Sequence, residues 1–107
     1  MKKTKTERGF SLYKFKDRLG QECSIQKSSL AEKDCIWLGV NEADPQIMCS
    51  DAIKLGLRES TGGKEDNGWC KYEIPKEVLL STRMELTIEQ VRELLPLLQN
   101  FVDNGEI

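Results

Sequence analysis

The chain of 107 residues reads as an α+β domain: an antiparallel β-sheet of about five strands, packed by a C-terminal amphipathic helix that kinks near Pro96. Three observations predict this class. Short segments rich in aromatic and β-branched residues recur between turn-forming clusters from Phe10 to Leu86. From Ile88 to Val102 the apolar spacing changes to that of a helix. The length suits one domain and not two, so a single domain is expected over residues 9–107.

Residues 1–8 are polar and lysine-rich, and a disordered basic N-terminus is expected there. Phe10–Lys16 then mixes aromatic and polar residues at short period, as a strand with one buried face does. Asp17-Arg18-Leu19-Gly20 is a turn, with aspartate placed to accept backbone amides and glycine tolerating positive φ. Gln21–Lys27 completes a β-hairpin, and residues 28–34 form a loop. Cys35–Val40 is the most apolar short run and is read as the central strand. Residues 46–57 fit either a strand at Ile47-Met48-Cys49 or a short helix capped by Ser50-Asp51. Glu59–Gly68 holds three glycines and no apolar residue, which predicts an exposed, mobile loop. Trp69–Ile74 resumes strand alternation until Pro75, and Arg83–Leu86 is a short strand leading into the helix.

The helix has the plainest local signals. Thr87 and Gln90 form a capping box, in which hydroxyl and side-chain amide each serve the other's backbone. Ile88, Val91, Leu95, Leu98 and Val102 repeat along one face, Leu94, Leu97 and Phe101 widen it, and Gly105 is a stop. Pro96 lacks an amide hydrogen and crowds the carbonyl of Arg92, at about 3 kcal/mol in a regular helix. A kink, or a break into two short helices, follows. One small sheet covers only one stripe of a helix. So wide an apolar arc predicts a second layer of cover, from residues 46–57 or from another copy in a homo-oligomer.

The net charge of −2 hides an asymmetry: residues 1–20 carry seven basic and two acidic side chains, leaving −7 on the remainder. An acidic body is unsuited to wrapping a duplex, so nucleic acid is not the expected partner. Met1-Lys2-Lys3 is followed by polar residues where a secretory signal needs an apolar run, and nothing approaches the ~20 apolar residues of a membrane span. A cytoplasmic protein without membrane contact is expected. In that reducing compartment Cys23, Cys35, Cys49 and Cys70 are expected as thiols. Their wide spacing and the lack of histidine do not suit a structural zinc site, and no cofactor is expected.

Gly62-Gly63-Lys64 resembles part of a phosphate-binding loop, but Arg58 stands where the first glycine belongs and Glu65 where Ser or Thr belongs. With no histidine to serve as base for a nucleophile, the expectation is a binding protein and not an enzyme. The densest polar run, Ser24, Gln26, Lys27, Ser28 and Ser29, offers hydroxyls, an amide and an ammonium to a phosphate or a base. Trp37 can anchor a partner or stack on a base, and Arg83 can join the same ligand at an oligomer interface. The plainer alternative is a solvated strand face with its loop.

Phe15-Lys16-Asp17-Arg18-Leu19-Gly20, Cys23 to Ala31, Ile36-Trp37-Leu38-Gly39, Thr82 to Thr87, Glu89-Gln90-Val91 and Leu95-Pro96 together resemble a family of small uncharacterised proteins encoded by tailed bacteriophages and prophages. The resemblance spans most of residues 10–107. It implies a bacterial cytoplasm during infection and an accessory role, and it brings no functional residues with it. The expected function is a non-enzymatic inhibitor that binds a protein of a host defence system. The alternatives are a sponge for a nucleotide immune signal and a nucleic-acid-binding regulator using residues 2–18.

Overall fold

The computed structural model describes residues 1–28 and 32–107. Part of the expected 28–34 loop therefore lies outside the described residues. In chain order the elements are β1 (Lys2–Lys5), β2 (Ser11–Lys16), β3 (Glu22–Lys27), β4 (Cys35–Val40), β5 (Gln46–Met48), α1 (Cys49–Lys54), a 3-10 turn (Lys64–Asp66), β6 (Trp69–Lys71), β7 (Arg83–Thr87) and α2 (Ile88–Asn104). They divide into two compact units, residues 1–42 with 81–107 and residues 43–80, where the sequence suggested one domain.

The first unit is a five-stranded antiparallel sheet in the order β1-β2-β3-β4-β7, followed by α2, which is the α+β class the periodicities predict. Its first strand corrects the expectation of disorder at residues 1–8. Lys2 to Lys5 pair with Lys14 to Ser11. Thr6 makes the reversal: its carbonyl accepts from Gly9 N–H at 2.9 Å and its hydroxyl from Phe10 N–H at 3.0 Å, with Gly9 at φ +83°. Lysine-rich composition hid a turn whose chemistry was present. The β2–β3 hairpin is as expected, with Asp17 Oδ1 accepting from Leu19 and Gln21 N–H, both at 2.9 Å. Cys35–Val40 is an interior strand but not the middle one, because β3 takes that place.

Strand alternation sorts the side chains onto two faces. Tyr13, Ile25, Leu38 and Met84 stand in register across β2, β3, β4 and β7, and define an apolar face. Lys14, Ser24, Gly39 and Arg83 stand in register on the other face, which is polar.

The C-terminal helix completes the expected α+β arrangement and meets the sheet at β7. α2 carries the predicted capping box, ends at Gly105 with φ +71°, and runs unbroken through Pro96 instead of splitting into two short helices. Among the described residues its substantial contact is with β7, and none of its own residues is buried. Phe101 is 58% exposed and Val102 76%. The cause is local: Thr87 is both the last residue of β7 and the N-cap of α2, so no linker exists to fold the helix back.

The second unit pairs β5 with β6, and α1 follows β5 directly, so residues 46–57 hold both the strand and the short helix. Ile47 opposes Cys70, which sets Cys49, two residues on, beside it. Cys49 and Cys70 form a disulfide with Cα atoms 5.3 Å apart, correcting the expectation of four thiols, while Cys23 and Cys35 are free and buried. The glycine-rich loop is exposed, as expected, and is organised around Asp66. Asp66 accepts from Ser60 Oγ (2.7 Å), Thr61 N–H (2.9 Å), Thr61 Oγ1 (2.9 Å) and Gly62 N–H (3.1 Å). These donors, the Ser60 hydroxyl first, hold its carboxyl well below the usual carboxylate range.

Thiol titration of the denatured, unreduced chain is expected to find two free thiols, and four after reduction. Breaking the cross-link is expected to cost up to about 3 kcal/mol for a loop of this size, measured by denaturant unfolding with and without reductant. Because the Asp66 carboxyl is depressed in the folded chain, its contribution is complete above the ordinary value near 4 and is lost as pH falls below it. Protection of the Thr61 and Gly62 amides, measured against their intrinsic exchange rates, is expected to fall over that acid window, and to be low at neutral pH in Asp66→Asn.

Candidate functional site

The polar face of the sheet is built around a missing side chain. Gly39 lies between Ser24 on β3 and Arg83 on β7, and its φ is +153°. A Cβ there would lie 2.5 Å from the Thr82 carbonyl oxygen and 2.8 Å from Arg83 Cα. Glycine therefore lets β7 close on β4, and it leaves a gap that Arg83 crosses. Arg83 Nη1 donates to Gln26 Oε1 at 3.1 Å, and its guanidinium lies 5.7 Å from the centre of the Trp37 ring. A cation over an indole face is attracted by the ring quadrupole, so Trp37 and Gln26 together fix the arginine.

On the other side of the gap Ser24, 2% exposed, donates from Oγ to Asn41 Oδ1 at 2.7 Å. Asn41 is placed there by its own N–H, which donates to Glu22 O at 2.8 Å. The result is an open cleft of about 240 Å³ lined by Leu12, Lys14, Ser24, Gln26, Asn41 and Arg83. Both amides have their oxygen engaged, which leaves the nitrogen of each to donate. Among the described residues no carboxylate lies within 4.0 Å of the Lys14 or Arg83 nitrogens. Lys2 stands directly opposite Lys14 on β1, on the same face. Glu22 and Glu85 also belong to this face, opposite Lys16 and Trp37. The cleft thus presents donors and positive charge to a ligand rich in acceptors.

Of the residues the sequence singles out, the structure brings Ser24, Gln26, Trp37 and Arg83 together. Lys27 points to the apolar face, opposite Ile36, and bonds Asp34 at 2.6 Å. That hydrogen bond and the ammonium charge hold the Asp34 carboxyl below its ordinary value. Ser28 is buried at the strand end, its N–H donating to Cys35 O at 2.9 Å. Ser29 lies outside the described residues. The polar run was read as one patch, and strand alternation divides it. Lys14 and Asn41 were not anticipated. The register of the Asp17–Gly20 hairpin would have paired Lys14 with Ser24, but nothing in sequence turns Asn41 back toward β3.

Among the described residues there is no cluster of three or more His, Cys, Asp or Glu able to hold a metal ion, and no helix long and apolar enough to cross a membrane. These features define a class: a small α+β protein with a donor-lined, cationic cleft on one face of its sheet. Comparison with protein-family models, curated proteins and solved structures finds no match.

Gly39→Ala is expected to push β7 from β4, because the atoms in the way are backbone. A loss of about 2 kcal/mol or more is expected from urea unfolding. In a Trp69→Phe background, Trp37 fluorescence is expected to shift as Arg83 leaves the ring.

Proposed function

We propose that this chain is a non-enzymatic accessory protein of tailed phages or prophages that acts in the bacterial host cytoplasm by binding a component of a host defence system. The phage origin is supported by the resemblance of its segments. The binding role is supported by one observation above the others: Lys14, Arg83 and the amides of Gln26 and Asn41 converge as donors on a single cleft. Such a lining favours a small phosphate-bearing ligand, and hence the sponge for a nucleotide immune signal. A phosphate supplies several acceptors at once, and charge-assisted hydrogen bonds are the strong ones.

A protein target is the second reading, favoured by the −7 carried by residues 21–107, which can compete with nucleic acid for a basic channel. A duplex is the least favoured partner, because Glu22 and Glu85 share the cationic face.

Titration calorimetry and thermal shift against cyclic dinucleotides test the proposal. Saturable binding with a raised melting temperature is expected. Lys14→Ala and Arg83→Ala are each expected to weaken it by about tenfold or more. If no nucleotide binds, and one host protein co-purifies stoichiometrically from lysate, the protein-target reading replaces the nucleotide one.

A further inference from the structure

We infer that this chain is half of an intertwined homodimer, in which the C-terminal helix of each copy lies on the apolar sheet face of the other.

The first unit carries two apolar surfaces that do not cover one another. On the sheet, Tyr13, Phe15, Ile25, Ile36 and Leu38 are only half-buried, and Met84 is 54% exposed. On α2, Leu95, Leu98, Phe101 and Val102 are exposed along one arc. Between the first turn of α2 and the end of the sheet is an open crevice of about 270 Å³, lined by Cys35, Ile36, Leu86, Ile88 and Val91 among others, which is large enough to accept side chains from outside.

Area gives the scale. The chain of 12.2 kDa exposes 9038 Å². Counted as two separate compact bodies of two-thirds and one-third of that mass, it would expose about 7,200 Å². The excess of about 1,800 Å² per chain, taken twice, falls within the roughly 2,000–5,000 Å² that obligate homodimers bury.

The occupant is a second copy because this chain supplies both complementary surfaces. α2 is an apolar arc long enough to cross five strands, and the junction at Thr87 sends it off its own sheet, as the exchanged arms of swapped dimers leave theirs. Charge agrees. Residues 88–107 carry Glu89, Glu93, Asp103 and Glu106 against Arg92 alone. The apolar face is bordered by Lys3 and Lys5 on β1, whereas Lys27 on β3 is already paired with Asp34.

The test uses the full chain. Native mass spectrometry at micromolar concentration is expected to give twice 12.2 kDa, and the unfolding midpoint is expected to rise with protein concentration. A photoreactive phenylalanine analogue replaces Phe101 in an equal mixture of light and heavy nitrogen-labelled chains, refolded together. Cross-links are expected to join a light chain to a heavy one at β2, β3 or β4. A monomer with concentration-independent unfolding overturns the inference. So do cross-links confined to one chain, whether to its own sheet or to residues 43–80, and so does a closed assembly of three or more copies. Leu98→Asp with Phe101→Asp is expected to abolish the dimer. Because that variant loses its apolar cover and can unfold, the wild-type mass and the isotope-mixed cross-links decide the matter without it.

Discussion

The approach of Thr82 and Arg83 to the backbone of Gly39 sets the position of everything after it in the chain. Without a side chain at Gly39, β7 pairs along the edge of β4, and Arg83 is carried across the gap to Gln26 and Trp37. The same pairing fixes Thr87 opposite Cys35, and Thr87 is the cap from which α2 departs. One missing Cβ thus places both the cation of the cleft and the direction of the helix.

The two faces of the sheet stand in different energetic states. On the polar face hydrogen bonds are made within the chain, and no buried side-chain nitrogen or oxygen among the described residues lacks a partner. On the apolar face the opposite holds. Among the described residues of this unit, the buried hydrophobic ones are Cys23 on the apolar face and Cys35 on the polar one, both small. A large apolar side chain contributes about 1.5–3 kcal/mol when fully buried, whereas ordering each residue's backbone costs about 1–2 kcal/mol. Small residues alone do not offset that cost over a five-stranded sheet. The large side chains that would do so, Ile25, Leu38, Leu98 and Phe101 among them, are present and only partly covered.

Much of this was legible in the sequence because local signals agree with one another. The Asp17–Gly20 turn, the alternation of β3 and the Thr87–Gln90 box each point to one conformation, and the fold has all three. The misreadings came where composition stood in for geometry. Lysines suggested a frayed end, although Thr6 and Gly9 closed a turn. Glycines gave no sign that Asp66 gathers four donors in that loop. The presumed compartment suggested thiols, although β5–β6 pairing brought two of them together. The candidate site was half legible. Alternation along Gln21–Lys27 already sets Ser24 and Gln26 on one face, as the register confirms, but a polar run taken as one patch passes over the fact that Lys27 falls on the other.

That register also separates assembly from binding. In a strand of period two, covering the face of Ile25 and Leu38 leaves the face of Ser24, Gln26 and Arg83 open. A ligand held by Arg83 and Lys14 therefore does not compete with a helix laid on the opposite side. In the sheet the cleft and the apolar surface lie back to back. The two are still coupled through the strands between them, because the cleft exists only while β7 stays against Gly39. In the inferred dimer, cover over Leu38, Met84 and Leu86 would press on that same pairing from behind. A second copy would then hold the cleft in shape without touching it.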